Sequence, residues 1–138
     1  MSDAVNVRTF HIIVDAPAEV VFDYVNELRN LPQWAYHFCK GVRIIDDGAI
    51  VETSRGQVYF GITSERDVGV LDWWCGPSME TAERWPTRVI ALPDGTSLYE
   101  VTAIFGPAGP PPGIDQHFGD ELGALKRLAE EQAAVSTH

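Results

Sequence analysis

Basic residues are scarce in this chain: ten lysines and arginines stand against twenty aspartates and glutamates, a formal net charge of −10. Nucleic acid and anionic membrane both select a basic surface, so neither is an expected partner. Cysteine is scarce too. Cys39 and Cys75 form neither a CxxC pair nor the spacing of a secreted disulfide scaffold, and free buried thiols are expected. The opening MSDAVNVRTF lacks a basic start followed by an apolar run, and no apolar stretch approaches membrane-spanning length. A cytoplasmic location is therefore the expectation. The histidines, cysteines and acids show no metal-ligand spacing, and no glycine loop is built to cradle a phosphate. Neither a metal nor a cofactor is expected.

What is present fits one domain over residues 1–138, with a hydrophobic fraction of 45% that is ordinary for a globular chain. Residues 5–14 alternate and read as a strand. DAPAEVVFDYVNELRN reads as a helix, with Pro17 suited to its first position and Glu19 to its positive end. Val20, Val21, Tyr24, Val25 and Leu28 share one face of it, and Phe22 lies off that stripe. Pro32 ends or kinks this helix, and a short second one is expected over Trp34 to Phe38. From Gly41 to Phe105 strands alternate with turn signals at Asp47-Gly48, Arg55-Gly56, Arg66-Asp67, Gly76-Pro77 and Asp94-Gly95. GPAGPPPG then breaks regular structure over a loop's length. Ile114, Phe118, Leu122, Leu125 and Ala129 follow at helical spacing. The fold class is α+β: a long antiparallel meander curled around a final amphipathic helix.

Two-residue hairpin turns predict which residues face inward. At Asp47-Gly48, Arg43 would pair with Glu52 in water, leaving Val51 inside. At Arg55-Gly56 and Arg66-Asp67 the same logic places Phe60, Val58, Ile62, Leu71, Trp73 and Cys75 inside. Asp72, Trp74 and Tyr59 fall outside, with Tyr59 opposite Trp74. At Asp94-Gly95, Ile90 would pair with Tyr99 and Arg88 with Val101. Arg88 then joins Tyr99, Val101, Ala103 and Phe105 on the inner face.

With these elements in order, the chain resembles the START-like helix-grip superfamily, in particular its polyketide cyclase/dehydrase-like branch. The resemblance rests on VDAPAEVVFDYVNELRNLPQWA, on GVLDWW (Gly69 to Trp74) and on the closing ELGALKRLAEE (Glu121 to Glu131). It spans nearly the whole chain, and its motifs are specific to the fold and not to one function. It implies a seven-stranded antiparallel sheet gripping the C-terminal helix, two short helices after the first strand, and an apolar cavity between sheet and helix. Members bind lipids, sterols, polyketides or other hydrophobic molecules, and some catalyse cyclisation, dehydration or aromatisation.

The expected function is binding of a small hydrophobic molecule, aromatic, polyketide-like or anionic, in that cavity. Trp34, Phe38, Phe60 and Trp73 form an aromatic set suited to its wall. Ile62, Leu71, Ile90, Val101, Phe105, Phe118 and Leu122 complete the expected ligand-facing set, with Arg88 and Tyr99. An inward Arg88 would anchor a carboxylate, phenolate or enolate, or else pair with a buried acid. The alternative is an enzyme, a cyclase, dehydratase or aromatase, using Arg88, Tyr99 and His117. Tyr99 is equally suited to filling the core, and His117 to capping or surface. Cys75 has no histidine near it in sequence and is a weak nucleophile candidate. A second alternative is an interaction module whose convex-face patch of Tyr59 and Trp74 would support a homodimer.

Overall fold

The alternation of Asn6–Val14 forms β1, an edge strand with its outer side chains in solvent. The computed structural model describes residues 5–136. Pro17 caps α1 (Ala18–Asn26) from just outside. Val21 and Val25 of the apolar stripe are buried, and so is the off-stripe Phe22, whose ring lies 4.6 Å beneath the Arg66 guanidinium. Pro32 opens α2 (Leu31–Trp34) instead of ending α1, as its fixed φ allows in a first turn. The second helix thus lies before the span expected for it, and Trp34 closes it.

The strands β2 (Gly41–Ile45), β3 (Gly48–Thr53), β4 (Gly56–Glu65), β5 (Val70–Gly76), β6 (Glu83–Trp85), β7 (Thr87–Ala91) and β8 (Ser97–Phe105) complete one antiparallel sheet. Its order is β1-β8-β7-β5-β4-β3-β2, with β6 beside β5. The strand count exceeds the expected seven by one because Pro86 divides what would be a single strand. Trp73↔Trp85 and Val70↔Arg88 continue one register, in which Pro86 falls opposite Asp72. Proline has no N–H to give the ladder. The Asp72 carboxylate instead accepts the next N–H, that of Thr87, at 3.1 Å.

Helix α3 (Ile114–Ser136) crosses the concave face, and Phe118, Leu122, Leu125 and Ala129 are buried along one stripe as their spacing predicts. They meet Val14, Val51, Leu71, Tyr99 and Val101 from the sheet and Val21 and Val25 from α1. No helix among the described residues is long and apolar enough to cross a membrane.

The registers decide what the concave face holds. At the first three hairpins the observed pairings differ from the expected ones by two positions. The turns fall at Asp46-Asp47 and Ser54-Arg55, and a short helical turn (Arg66–Val68) ending on Gly69 joins β4 to β5. A displacement of two preserves the face, so Val51, Phe60 and Trp73 point inward as expected. The β7–β8 loop has three residues, Pro93, Asp94 and Gly95. Gly95 N–H donates to Leu92 O, and Gly95 takes φ +90°. Proline suits the first central position of such a turn and glycine the left-handed one. This displacement is one position and turns β7 over. Arg88 stands opposite Glu100, and Ile90 opposite Leu98, both on the convex face; Thr87 and Val89 take the interior.

Candidate functional site

Between the sheet, α2 and the first half of α3 lies a cavity of about 470 Å³. Five aromatic rings follow one another along its wall. Phe38 lies 5.7 Å from Phe60, Phe60 5.6 Å from Trp73, Trp73 6.4 Å from Trp85, and Trp85 6.1 Å from Phe118. Leu31, Ala35, Val58, Cys75 and Ile114 fill the gaps between them. The rim is built from the β3–β4 turn (Thr53, Ser54, Arg55), Glu83, and Pro111 and Pro112 of the proline-rich loop.

The polar groups converge on the start of α3. Glu121 is buried, and its Oε2 accepts the backbone N–H groups of His37 and Phe38, each at 3.0 Å. Burial raises its carboxyl above the usual range, against the two amides, which favour the charged form. The His37 ring stacks on His117, centroids 4.4 Å apart. His37 Nε2 lies 2.9 Å from Asp120 Oδ2, and Gln116 Nε2 donates to Asp120 Oδ1 at 2.8 Å. These hydrogen bonds, that of His37 first, hold the Asp120 carboxyl below its ordinary value. Burial, then the Glu83 charge, pushes the Cys75 thiol up to about 11. It therefore stays protonated near neutrality and is no nucleophile. No group of three or more metal-ligating side chains occurs among the described residues.

Of the expected ligand-facing residues, Phe38, Phe60, Trp73 and Phe118 line the cavity. Trp34, Leu71, Tyr99, Val101 and Leu122 are buried in the packing around it and do not form its wall. Phe105 packs behind Trp85, centroids 5.3 Å apart, and Ile62 belongs to a groove at the sheet's far edge. Three expectations need correction. Arg88 is not an interior anchor: on the convex face it donates to Asp72 Oδ1 at 2.8 Å, because the three-residue loop reversed its strand. Ile90 turns outward with it and is 43% exposed. Tyr99 faces inward, but its hydroxyl is enclosed in packing beside Trp34 and does not line the cavity. His117 does stand at the cavity mouth. The convex aromatic patch is also less open than expected. Tyr59 is buried, lying over Gly61 and donating to Asp47 O at 2.6 Å. Trp74 pairs with Gly61, and its Nε1 donates to Thr63 Oγ1.

Trp85 and Glu121 are the most telling of the cavity residues that escaped sequence reasoning. Trp85 was hidden by the same one-position register error that misplaced Arg88. Glu121 carried a signal of its own. Phe118, Glu121 and Leu125 follow at gaps of three and four, which puts a carboxylate within the apolar stripe.

A curved antiparallel sheet closed over a long C-terminal helix, with the cavity between them, is the helix-grip fold, and this chain has it. The likeness extends to particular solved structures. The Zhui aromatase/cyclase from Streptomyces superposes with a TM-score of 0.71 at 12% identity, covering 94% of this chain and 96% of that one. Norcoclaurine synthase from Thalictrum matches with a TM-score of 0.68 at 14% identity, covering 96% and 98%. A START superfamily protein from Mycobacterium smegmatis matches with a TM-score of 0.59 at 16% identity, covering 93% and 97%. No protein-family model and no curated protein matches the chain.

Proposed function

We propose that the chain binds a flat, apolar small molecule in the cavity between its sheet and α3. One observation carries this reading: a cavity of about 470 Å³ walled by Phe38, Phe60, Trp73, Trp85 and Phe118. That volume lies within the ordinary range for sites that enclose a small ligand, and such sites are apolar with a few placed polar groups. Aromatic walls favour a flat partner, which they meet by stacking or edge contact. The enzymatic alternative loses Arg88 and Tyr99, neither of which reaches the cavity; binding alone needs neither.

The test is titration with an apolar dye that fluoresces when shielded from water, together with native mass spectrometry of freshly purified protein. We expect saturable uptake of one dye molecule, displaced by a bulkier side chain in Ala35→Phe. No saturable uptake by the parent, or equal uptake by the filled variant, would overturn the reading.

A further inference from the structure

Among the described residues, Glu121 is the one carboxyl that the cavity holds away from its rim, and only one of its oxygens is used by the fold. Oε2 takes both backbone N–H groups at 3.0 Å. Oε1 has no hydrogen-bond partner among the described residues, yet it is not one of the fully enclosed unpaired atoms. It therefore keeps accessible surface, on a residue that lines the cavity. By contrast, the unpaired indole nitrogen of Trp73 is fully enclosed and not presented to a ligand. Among the described residues, the one Arg or Lys at the cavity is Arg55, on the exposed β3–β4 turn at the rim.

We infer that Glu121 selects the ligand, admitting an apolar ring system that carries a hydrogen-bond-donating head, an ammonium above all, and rejecting one that carries a carboxylate. This rests on the cavity being a ligand site. A donor reaching Oε1 forms a charge-assisted hydrogen bond in a water-poor site. A ligand carboxylate would instead bring a second negative charge against a desolvated first. A purely structural role for Glu121, bridging His37 and Phe38 to α3, is served by Oε2 alone. Glu121→Gln separates the two. Its amide oxygen still accepts both backbone N–H groups, while its NH2 turns the cavity-facing acceptor into a donor.

Three probes sharing one ring system test this: naphthylmethylammonium, naphthalene and naphthoate, each measured by equilibrium dialysis in 0.15 M salt, where the Debye length is about 8 Å. The parent should hold the ammonium roughly tenfold or more tighter than naphthalene, and naphthoate more weakly than either. Glu121→Gln should abolish the ammonium preference and bind naphthoate better than the parent does. Because the variant changes the net charge by one unit only, a preference set by overall charge would survive in it. Naphthoate held as tightly as the ammonium, or a ratio unchanged in Glu121→Gln, overturns the role of Glu121 and leaves the cavity reading standing. Uptake of none of the three overturns the cavity reading itself. Should the variant fail to fold, the parent is measured again in 1 M salt, where the Debye length is about 3 Å: an ammonium preference that persists supports the contact with Glu121, and one that vanishes is set by overall charge and overturns it.

Discussion

At the scale of the residue, enclosed polar atoms set the sharpest expectations. The Tyr99 hydroxyl and the indole nitrogens of Trp34 and Trp73 are buried without partners among the described residues. Such a group costs free energy that its removal returns. Tyr99→Phe should therefore leave stability unchanged or raise it by up to about 1 kcal/mol in urea denaturation. A loss larger than that would show the hydroxyl to be bonded. Asp72 is the converse case, holding the Thr87 N–H and the Arg88 guanidinium. Asp72→Ala should cost about 2–3 kcal/mol, chiefly by stranding the buried Thr87 amide. The Arg88 side chain is 40% exposed, so Arg88→Ala should cost no more than about 1 kcal/mol and leave probe affinity unaltered. Glu121 links stability to pH. Its carboxyl is raised above the usual 4.5, so the folded chain keeps a proton that the unfolded chain releases first. Raising pH through that window removes stability. Glu121→Gln holds no such proton. Its stability relative to the parent should climb from pH 4.5 upward and level off above the raised value; a difference flat with pH would show that folding does not shift the carboxyl.

At the scale of the element, turns decide which side chains meet. Gly69 ends the β4–β5 connection at φ +68°, and a Cβ there would come within 2.0 Å of Val89 O. Gly69→Ala should cost about 2–4 kcal/mol, from left-handed strain and from the clash. Gly95 has φ +90° but open space around it, so Gly95→Ala should cost about 1 kcal/mol. Matched thermal melts check the ordering, and equal losses would refute it. The same turns explain how much could be read from sequence. The assumed hairpin turns, in agreement with the alternation, still identified the inner faces of β3, β4 and β5, because their loops differ from the expected ones by an even displacement. In β7, Asp94-Gly95 resembles a two-residue turn, and reading it so passes over Pro93, whose fixed φ suits the first position of the three-residue loop. That single residue misplaced Arg88 and Ile90 and concealed Trp85. Glu121 was legible in the periodicity of α3, but its partners lie on the segment after α2, which helical spacing cannot see.

At the scale of the whole molecule, a ligand that binds only the folded chain must stabilise it, by about 2.7 kcal/mol at a hundredfold excess over Kd. The melting temperature should rise with the concentration of any probe that dialysis shows to bind, and a bound probe that leaves it fixed is not in the cavity. Sheet and cavity are also joined through a place that does not face the ligand. Trp73 and Trp85 stand opposite each other on the cavity wall, while one peptide bond away on the convex side Asp72 and Arg84 approach within 3.7 Å. The carboxylate that closes the gap at Pro86 thereby fixes the spacing of two wall residues from behind. In a laboratory selection for altered ligand preference, winning substitutions should therefore appear at positions 72 and 84, on a surface that a library confined to pocket residues would never sample.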